Sequence, residues 1–170
     1  MFFLVSREDT LALSPKYFGK NVNEHILKQL KEKVEGKCSG RWGYTIAVTQ
    51  MTNVGKGRLH EDTGYAHFPV TFLALVFRPF KNEVLPAVVT VVNNNGFFAQ
   101  AGPLEIFVSS HLIPEDLKFD SRNAAPTYYS EEENIRIECA GSFVRVKIVG
   151  IRLAADQIVV IGTIKEDYLG

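Results

Sequence analysis

The segment from Asn82 to Pro114 constrains the fold more than any other. It contains three apolar runs, VLPAVVTVV, GFFAQAG and EIFVSSHLI, separated by NNNG and by a Gly-Pro step. Because Asn and Gly tolerate positive φ, NNNG predicts a hairpin between the first two runs. Strand alternation then puts Phe97 and Phe98 on opposite faces, one filling a core and the other exposed. Pro86 gives up one ladder donor and should lie at an edge or bulge.

Two further strands complete a set of five. FVRVKIVGIRL alternates Val144, Val146 and Ile148 with Arg145 and Lys147, and QIVVIGTI follows it. Five short strands are the number expected of an OB-type barrel. The insertion PEDLKFDSRNAAPTYYSEEEN separates the third strand from the fourth.

The N-terminal half predicts one helix, in NVNEHILKQLKEKVEG. Its apolar residues recur every four positions, with Leu27 beside them, and form one stripe: Val22, Ile26, Leu30 and Val34. Asn21 is the predicted N-cap and Gly36 a left-handed stop.

The runs GYTIAVTQM and TGYAHFPVTFLALVF predict strands, with the loop NVGKGRLHEDTG between them. Because TFLALVF is almost continuously apolar, we expect a central strand covered on both faces. Pro79 in RPFKNE marks the boundary between two domains, residues 1–80 and 81–170. The fold class is therefore α+β.

Charge argues against a strongly basic nucleic-acid binder. The formal net charge is zero, yet residues 1–80 carry 11 Lys/Arg against 7 Asp/Glu and residues 81–170 carry 8 against 12. Any RNA binding should be local and modest. Within residues 114–133 there are six carboxylates and two bases, so the acidic excess lies in the insertion.

The start, MFFLVSREDT, has no basic region before its short apolar run, and no window approaches the roughly eighteen apolar residues of a membrane span. We therefore expect a soluble intracellular protein without a membrane partner. Cys38 and Cys139 show no CxxC or metal spacing, which predicts small buried apolar residues.

Three apparent catalytic motifs fail on their context. GKCSG resembles a nucleophile elbow, but here a helix precedes a strand and not the reverse. The loop with Lys56 and Arg58 lacks the trailing Lys-Ser/Thr of a P-loop, and the cluster His60, Glu61, Asp62 and His67 lacks helical metal-ligand spacing. No enzyme, metal site or cofactor is expected.

The Asn82–Pro114 segment resembles the RNA-binding barrel repeated in ribosomal protein S-one. Together with MFF, LSPKYFG, VEGKCSGRWGY, FRPFKNEV and the ending IGTIKEDYLG, it is similar to the seventh-subunit type of RNA polymerase II, over nearly the whole chain. The resemblance implies a truncated ribonucleoprotein-like N-terminal domain followed by a five-stranded OB-fold barrel of the S-one type.

The same resemblance implies a non-catalytic nuclear stalk subunit. It would pair with a fourth-subunit-type protein as a heterodimer, dock on the polymerase II core near the clamp and offer its barrel to nascent single-stranded RNA. We call the residues implied in docking the docking tip: Gly19, Asn53, Val54, Gly55, Gly57 and Gly64. Small residues allow close backbone approach, as insertion into a pocket requires; two ordinary surface turns are the alternative.

The candidate RNA-binding residues are aromatic, imidazole or basic: Phe98, Phe107, His111, Arg145, Lys147 and Arg152. Stacking of a base on Phe98 is the proposed contact, whereas a solvated strand face is the alternative for the three cations. Asn95 replaces the usual aromatic before the hairpin glycine, and Ser109 replaces the usual His. These departures favour a weak guide for passing RNA.

A free-standing OB-fold regulator of mRNA or translation is the alternative function. We expect Tyr128 and Tyr129 to be exposed aromatics of a surface that a partner normally covers, which argues against a free-standing protein.

Overall fold

The computed structural model describes residues 1–121, 126–130, 136–138, 141–154 and 157–170. One α-helix, α1, spans Val22–Val34, and short 3-10 helices span Pro15–Tyr17 and Ser110–Leu112. The strands in chain order are β1 Phe2–Leu13, β2 Cys38–Ser39, β3 Gly43–Val54, β4 Arg58–Leu59, β5 Ala66–Phe77, β6 Val84–Asn93, β7 Gly96–Ala101, β8 Leu104–Ser109, β9 Lys118–Asp120, β10 Thr127–Tyr129, β11 Arg136–Glu138, β12 Phe143–Leu153 and β13 Ile158–Thr163.

The chain forms two compact units, Met1–Arg78 and Pro79–Gly170. The domain limit predicted from the sequence, between residues 80 and 81, lies two residues further along. Within the described residues, no helix is both long and apolar enough to span a bilayer.

Unit one is an antiparallel sheet with strand order β1-β5-β3-β2 and one helix against it. The predicted stripe is confirmed: Ile26, Leu30 and Val34 are buried and share a core cluster with Phe72 and Val70. The helix therefore forms because its apolar face has a sheet to cover.

The two predicted helix ends have different outcomes. Gly36 has φ of +73°, so the left-handed stop is confirmed. Asn21 is at the N-cap position, since α1 begins at Val22, but its side chain makes no capping hydrogen bond, so the predicted capping contact is wrong. Asn21 has φ −101° and ψ 25°, outside the extended conformation from which an N-cap side chain reaches the free amides.

Strand β5 is central, as predicted, but it is not covered on both faces. Phe72 and Ala74 are fully buried under the helix, whereas Leu73 and Leu75 on the other face are only half-buried. Leu75 pairs with Leu4, which is exposed. The continuous apolar run thus reflects one core face and one partly open apolar face.

Unit two is built on a closed barrel with strand order β12-β13-β8-β7-β6, which confirms the five-stranded OB-type prediction. All pairs are antiparallel except β13 with β8. Phe97 is fully buried inside the barrel and Phe98 lies outside, so alternation correctly separated them. The other fully buried interior residues include Val89, Ile106, Val146, Ile148 and Val160.

The predicted hairpin is confirmed between β6 and β7, where Asn93 pairs with Gly96. Of the four residues of NNNG, all described, only Gly96 has positive φ, at +140°. A Cβ at Gly96 would overlap the carbonyl oxygen of Val108 on β8. The turn therefore needs its glycine for close strand approach, while its asparagines keep ordinary backbone angles.

Pro86 lies in β6 opposite Arg145 of β12. The amide of Arg145 donates to the carbonyl oxygen of Gly170, and its carbonyl accepts from the amide of Gly170, so the backbone polar groups of Arg145 have partners although Pro86 has no N–H to donate. On its other side, pairing with β7 begins only at Val88. This local edge agrees with the prediction.

The insertion and the residues just after it form a small sheet that the sequence did not predict, with strand order β11-β10-β9. Tyr128 is buried and Tyr129 half-buried, so the prediction that both are exposed is wrong. Cys38 is only partly buried, contrary to expectation, and Cys139 lies outside the described residues.

Gly162 of β13 provides a test of barrel packing. A Cβ there would overlap Val146 Cγ1 and lie 2.8 Å from Ile106 Cγ2. We expect Gly162→Ala to lower the free energy of unfolding by about 1–3 kcal/mol, because overpacking forces its neighbours apart. Urea unfolding measures the change.

Gly150→Ala is the matched control, since a Cβ at Gly150 meets nothing within 4 Å. It should change the free energy of unfolding by less than about 1 kcal/mol. Equal losses in the two variants would contradict the packing argument.

Candidate nucleic-acid interface and docking tip

The barrel carries one aromatic pair on its outer surface. Phe98 and Phe107 are direct partners across β7 and β8, with ring centroids 4.9 Å apart and planes at 43°. Both rings are half-buried. Two adjacent, partly exposed aromatic faces are a surface on which an unpaired base can stack.

The aromatic pair lies within a longer apolar row. Val91 of β6 pairs with Phe98, and Ile161 of β13 pairs with Phe107. Val91 and Ile161 are 46% and 43% exposed. These four residues form what we call the outer row, which crosses four strands without a charged side chain.

The three candidate cations do not surround the aromatic pair. Arg145 and Lys147 lie on β12 opposite Pro86 and Val84 of β6, whereas Phe98 pairs with Val91, five residues further along β6 than Pro86. Arg152 is closer: it pairs with Val159 of β13, and β13 in turn pairs with β8. The three cations therefore do not form one group beside the aromatic pair: Arg145 and Lys147 pair with β6, and Arg152 pairs with β13.

Lys147 is also engaged already. Its Nζ lies 2.7 Å from both carboxylate oxygens of Glu166. The pair is partly exposed and adds little stability, but it reduces the positive charge available to a phosphate. Arg145 and Arg152 remain exposed.

His111 lies in the short helix after β8 and is exposed. The two departures from the barrel family's pattern meet beside that helix. Ser109 pairs with Gly96, and the amide of Ser110 donates to the carbonyl of Asn95 at 2.9 Å. Asn95 and Ser109 thus form a polar end next to the hairpin, and the aromatic platform is confined to Phe98 and Phe107.

Tyr128 connects the insertion to the hairpin. Its hydroxyl lies 2.9 Å from the carbonyl oxygen of Asn93 and 3.2 Å from that of Asn94. Its ring contacts Phe119 at 5.4 Å. Burial raises the pKa of Tyr128 above 10.0, and a backbone hydrogen bond with Gly96 partly offsets this.

Apart from Gly19, the docking tip residues lie at one end of the sheet of unit one. Asn53 and Val54 are the last residues of β3. A Cβ built on Gly64 would lie 3.6 Å from Pro15 Cγ. Added Cβ atoms at Gly55 and Gly57 would lie 2.6 Å from Pro69 and Phe68. Their small size therefore serves packing within the chain, a reason the sequence did not reveal.

Gly19 follows the first 3-10 helix and has open space around it. Large apolar side chains are exposed near the docking tip and were not singled out from the sequence: Tyr17, Phe18, Leu59 and Tyr65. Leu59 is 63% exposed on β4. The sequence signal that could have identified Leu59 is its position as an apolar residue inside the polar loop NVGKGRLHEDTG.

Metal binding finds no support in this region. The rings of His60 and His67 make a tilted contact, with centroids 4.7 Å apart and planes at 59°. Across the residues that the structure describes, no group of three or more His, Cys, Asp or Glu could hold an ion.

These features define a class: a two-unit protein whose second unit is an OB-type barrel with an outer aromatic pair. Residues 8–64 match the family model described as "SHS2 domain found in N terminus of Rpb7p/Rpc25p/MJ0397", and residues 78–160 match that of the S1 RNA binding domain.

Relatives match over the full length. The chain is similar to DNA-directed RNA polymerase II subunit RPB7 of Glycine max, with 49% identity over all of this chain and 96% of the relative. Identity to the polymerase II subunit RPB7 of Saccharomyces cerevisiae is 40%, over all of this chain and 99% of the relative. Subunit 7 of Arabidopsis thaliana polymerase V is 31% identical over 89% of this chain and 85% of the relative. The chain belongs to the RNA polymerase II subunit 7 family.

Replacing Tyr128 by Phe tests the connection between insertion and hairpin. We expect Tyr128→Phe to lower the free energy of unfolding by about 1 kcal/mol near neutral pH, because it removes a buried hydrogen bond. Tyr129→Phe, on the same strand, should have a smaller effect. Urea unfolding of both variants gives the comparison.

The difference in stability between the native chain and Tyr128→Phe should also depend on pH. Because the folded pKa of Tyr128 is raised, its stabilising contribution is complete below pH 10.0 and is lost as pH rises through the folded pKa. The stability difference between the native chain and Tyr128→Phe should therefore shrink above about pH 10. A difference that stays constant at high pH would contradict the assignment.

Proposed function

We propose that this chain is a non-catalytic subunit of nuclear RNA polymerase II. It forms a stalk heterodimer with a fourth-subunit-type protein, docks on the core near the clamp and binds nascent single-stranded RNA. The observation that carries the proposal is the similarity over the full length to polymerase II subunit 7 of several organisms. The match to the S1 RNA binding domain supports the RNA-binding part.

On this proposal the aromatic pair is the RNA contact. Base stacking on an aromatic ring contributes about 1–3 kcal/mol per base, and every base has a face that can stack. Few free cations lie near the pair, since Lys147 is engaged by Glu166 and Arg152 is separated from Phe107 by β13. Binding should therefore be weak and tolerant of sequence, as suits RNA that moves past the barrel.

Phe98→Ala tests this contact. It should weaken crosslinking of single-stranded RNA to the barrel, because it removes one stacking face, while changing the melting temperature little. Phe97→Ala should instead lower the melting temperature strongly, because truncating a fully buried Phe costs about 3–5 kcal/mol.

Phe143→Ala is the matched surface control, since Phe143 is 79% exposed on β12 outside the outer row. It should leave RNA crosslinking unchanged. If Phe143→Ala reduces crosslinking as much as Phe98→Ala does, the aromatic pair is not the contact.

The docking tip is proposed to insert into the polymerase core. The exposed apolar residues around it, Leu59 and Tyr65 among them, supply area to bury. Docking biases the mobile clamp toward closure if the tip binds the closed state better than the open one, because a ligand shifts an equilibrium only through differential affinity.

Leu59→Asp tests the docking surface in cells. Capture of the tagged chain should lose the large polymerase II subunits, because a carboxylate would be buried at the interface, yet retain the fourth-subunit-type partner. Leu153→Asp places the same change on a barrel leucine that is 52% exposed and should leave core association intact. Core capture that survives Leu59→Asp would contradict this placement, and capture of messenger ribonucleoproteins without polymerase would favour the free-standing regulator.

A further inference from the structure

The hairpin that joins β2 to β3 holds a basic and aromatic cluster in unit one, which we call the tryptophan hairpin, residues 37–44. Cys38 pairs with Tyr44 and Ser39 with Gly43, so the turn consists of Gly40, Arg41 and Trp42. Tyr44 in turn pairs with Phe77, at the end of β5.

This hairpin is remote from the docking tip. Strand β3 begins at the hairpin and ends at Val54, which pairs with Val70. The two features therefore lie at opposite ends of β3, which is 12 residues long. At about 3.3 Å per residue, that separates them by roughly 30–40 Å.

Trp42 is half-buried, and its neighbour Arg41 lies over it. The Arg41 Cζ is 4.7 Å from the centre of the Trp42 ring. Arg78 Nη1 donates to the carbonyl oxygen of Arg41 at 3.2 Å, which fixes the turn to the end of β5. A guanidinium held over an indole is ordered before any ligand arrives, so less entropy is lost on binding.

The hairpin carries positive charge without local compensation. Residues 36–60 contain four Lys or Arg and no Asp or Glu. Neither Lys37 nor Arg41 has an ion pair with any residue that the structure describes, and both are exposed. The nearest preceding carboxylate, Glu35, accepts a hydrogen bond from the amide of Val48 at 2.8 Å.

We propose that the tryptophan hairpin is a second binding site for single-stranded RNA, on unit one and separate from the aromatic pair of the barrel. Lys37 and Arg41 bind backbone phosphates, and the Arg41–Trp42 stack receives an unpaired base. Single strands are favoured over duplexes because their bases are free to stack on a ring or on a guanidinium plane. The stacking surface distinguishes the site from one for an acidic peptide, which needs only the cations.

Trp42 is the only tryptophan of the chain, so its fluorescence reports on this site alone. We expect an oligouridylate of about 12 nucleotides to quench the emission of the full-length protein in a saturable way at low salt. The double variant Lys37→Ala/Arg41→Ala should shift the midpoint of quenching to about tenfold higher RNA concentration. For this double variant, the slope of log affinity against log salt concentration should be smaller in magnitude by about 1.4, because each phosphate contact on a single strand contributes about 0.7 to the slope.

The matched control is Lys28→Ala/Lys31→Ala, which removes the same charge from exposed positions on α1. It should leave the midpoint unchanged. Phe98→Ala should also leave it unchanged, which separates failure of this site from failure of the barrel contact.

Three results would overturn the proposal. One is unchanged Trp42 emission when labelled RNA binds the protein by anisotropy. Another is quenching that Phe98→Ala abolishes, which would leave a single site on the barrel. The third is equal quenching by polyglutamate, which would identify an acidic-peptide site instead.

Discussion

Closure of the barrel through β12 is the constraint on which the outer surface depends. This strand pairs with β6 from Phe143 to Lys147 and with β13 from Lys147 onward, and the ladder with β13 has a register shift between Ile148 and Gly150. A bulge of this kind bends a strand and increases its twist, which lets five short strands meet in a ring. Once the ring is closed, alternation fixes which side chains point outward. Phe98 and Phe107 meet on the outside because Phe97 and Ile106 fill the inside.

The sequence predicted those features that depend on local periodicity. The helix stripe and the strand FVRVKIVGIRL were correct because burial repeats at the period of each element. Features that depend on a distant partner were not predictable. Tyr128 is buried because its hydroxyl reaches the carbonyl of Asn93, 35 residues away, and nothing in TYY indicates that partner. Leu73 and Leu75 are apolar but half-buried, because the helix of unit one covers only the opposite face of the sheet.

The candidate RNA-binding residues show the same difference between features set by local periodicity and features set by distant partners. Alternation placed Phe97 and Phe98 on opposite faces without saying which one is outside, and the contact of Phe98 with Phe107 depends on the register between β7 and β8. The three cations looked like one strip along FVRVKIVGIRL. The bulge and the ion pair of Lys147 with Glu166, 19 residues later, divide that strip. A count of charges therefore overstates what the barrel offers to phosphates, whereas residues 36–60 carry uncompensated charge that the whole-chain total of zero conceals.

A subunit that guides RNA gains from several weak contacts more than from one strong contact. A transcript must advance, so no single site can hold it for long, and a strong site would become a barrier to movement. On the two proposals above, two modest sites on one chain would reinforce each other, because a strand held at one site has a higher effective concentration at the other. Each contact can then open and re-form while the other retains the RNA. Two weak contacts agree with the composition of the two proposed sites. Few cations surround Phe98 and Phe107, and the cluster at Trp42 is small, so each site would rely on stacking, which accepts any base. A strongly basic surface would retain RNA through its phosphates alone, whereas this chain has a formal net charge of zero.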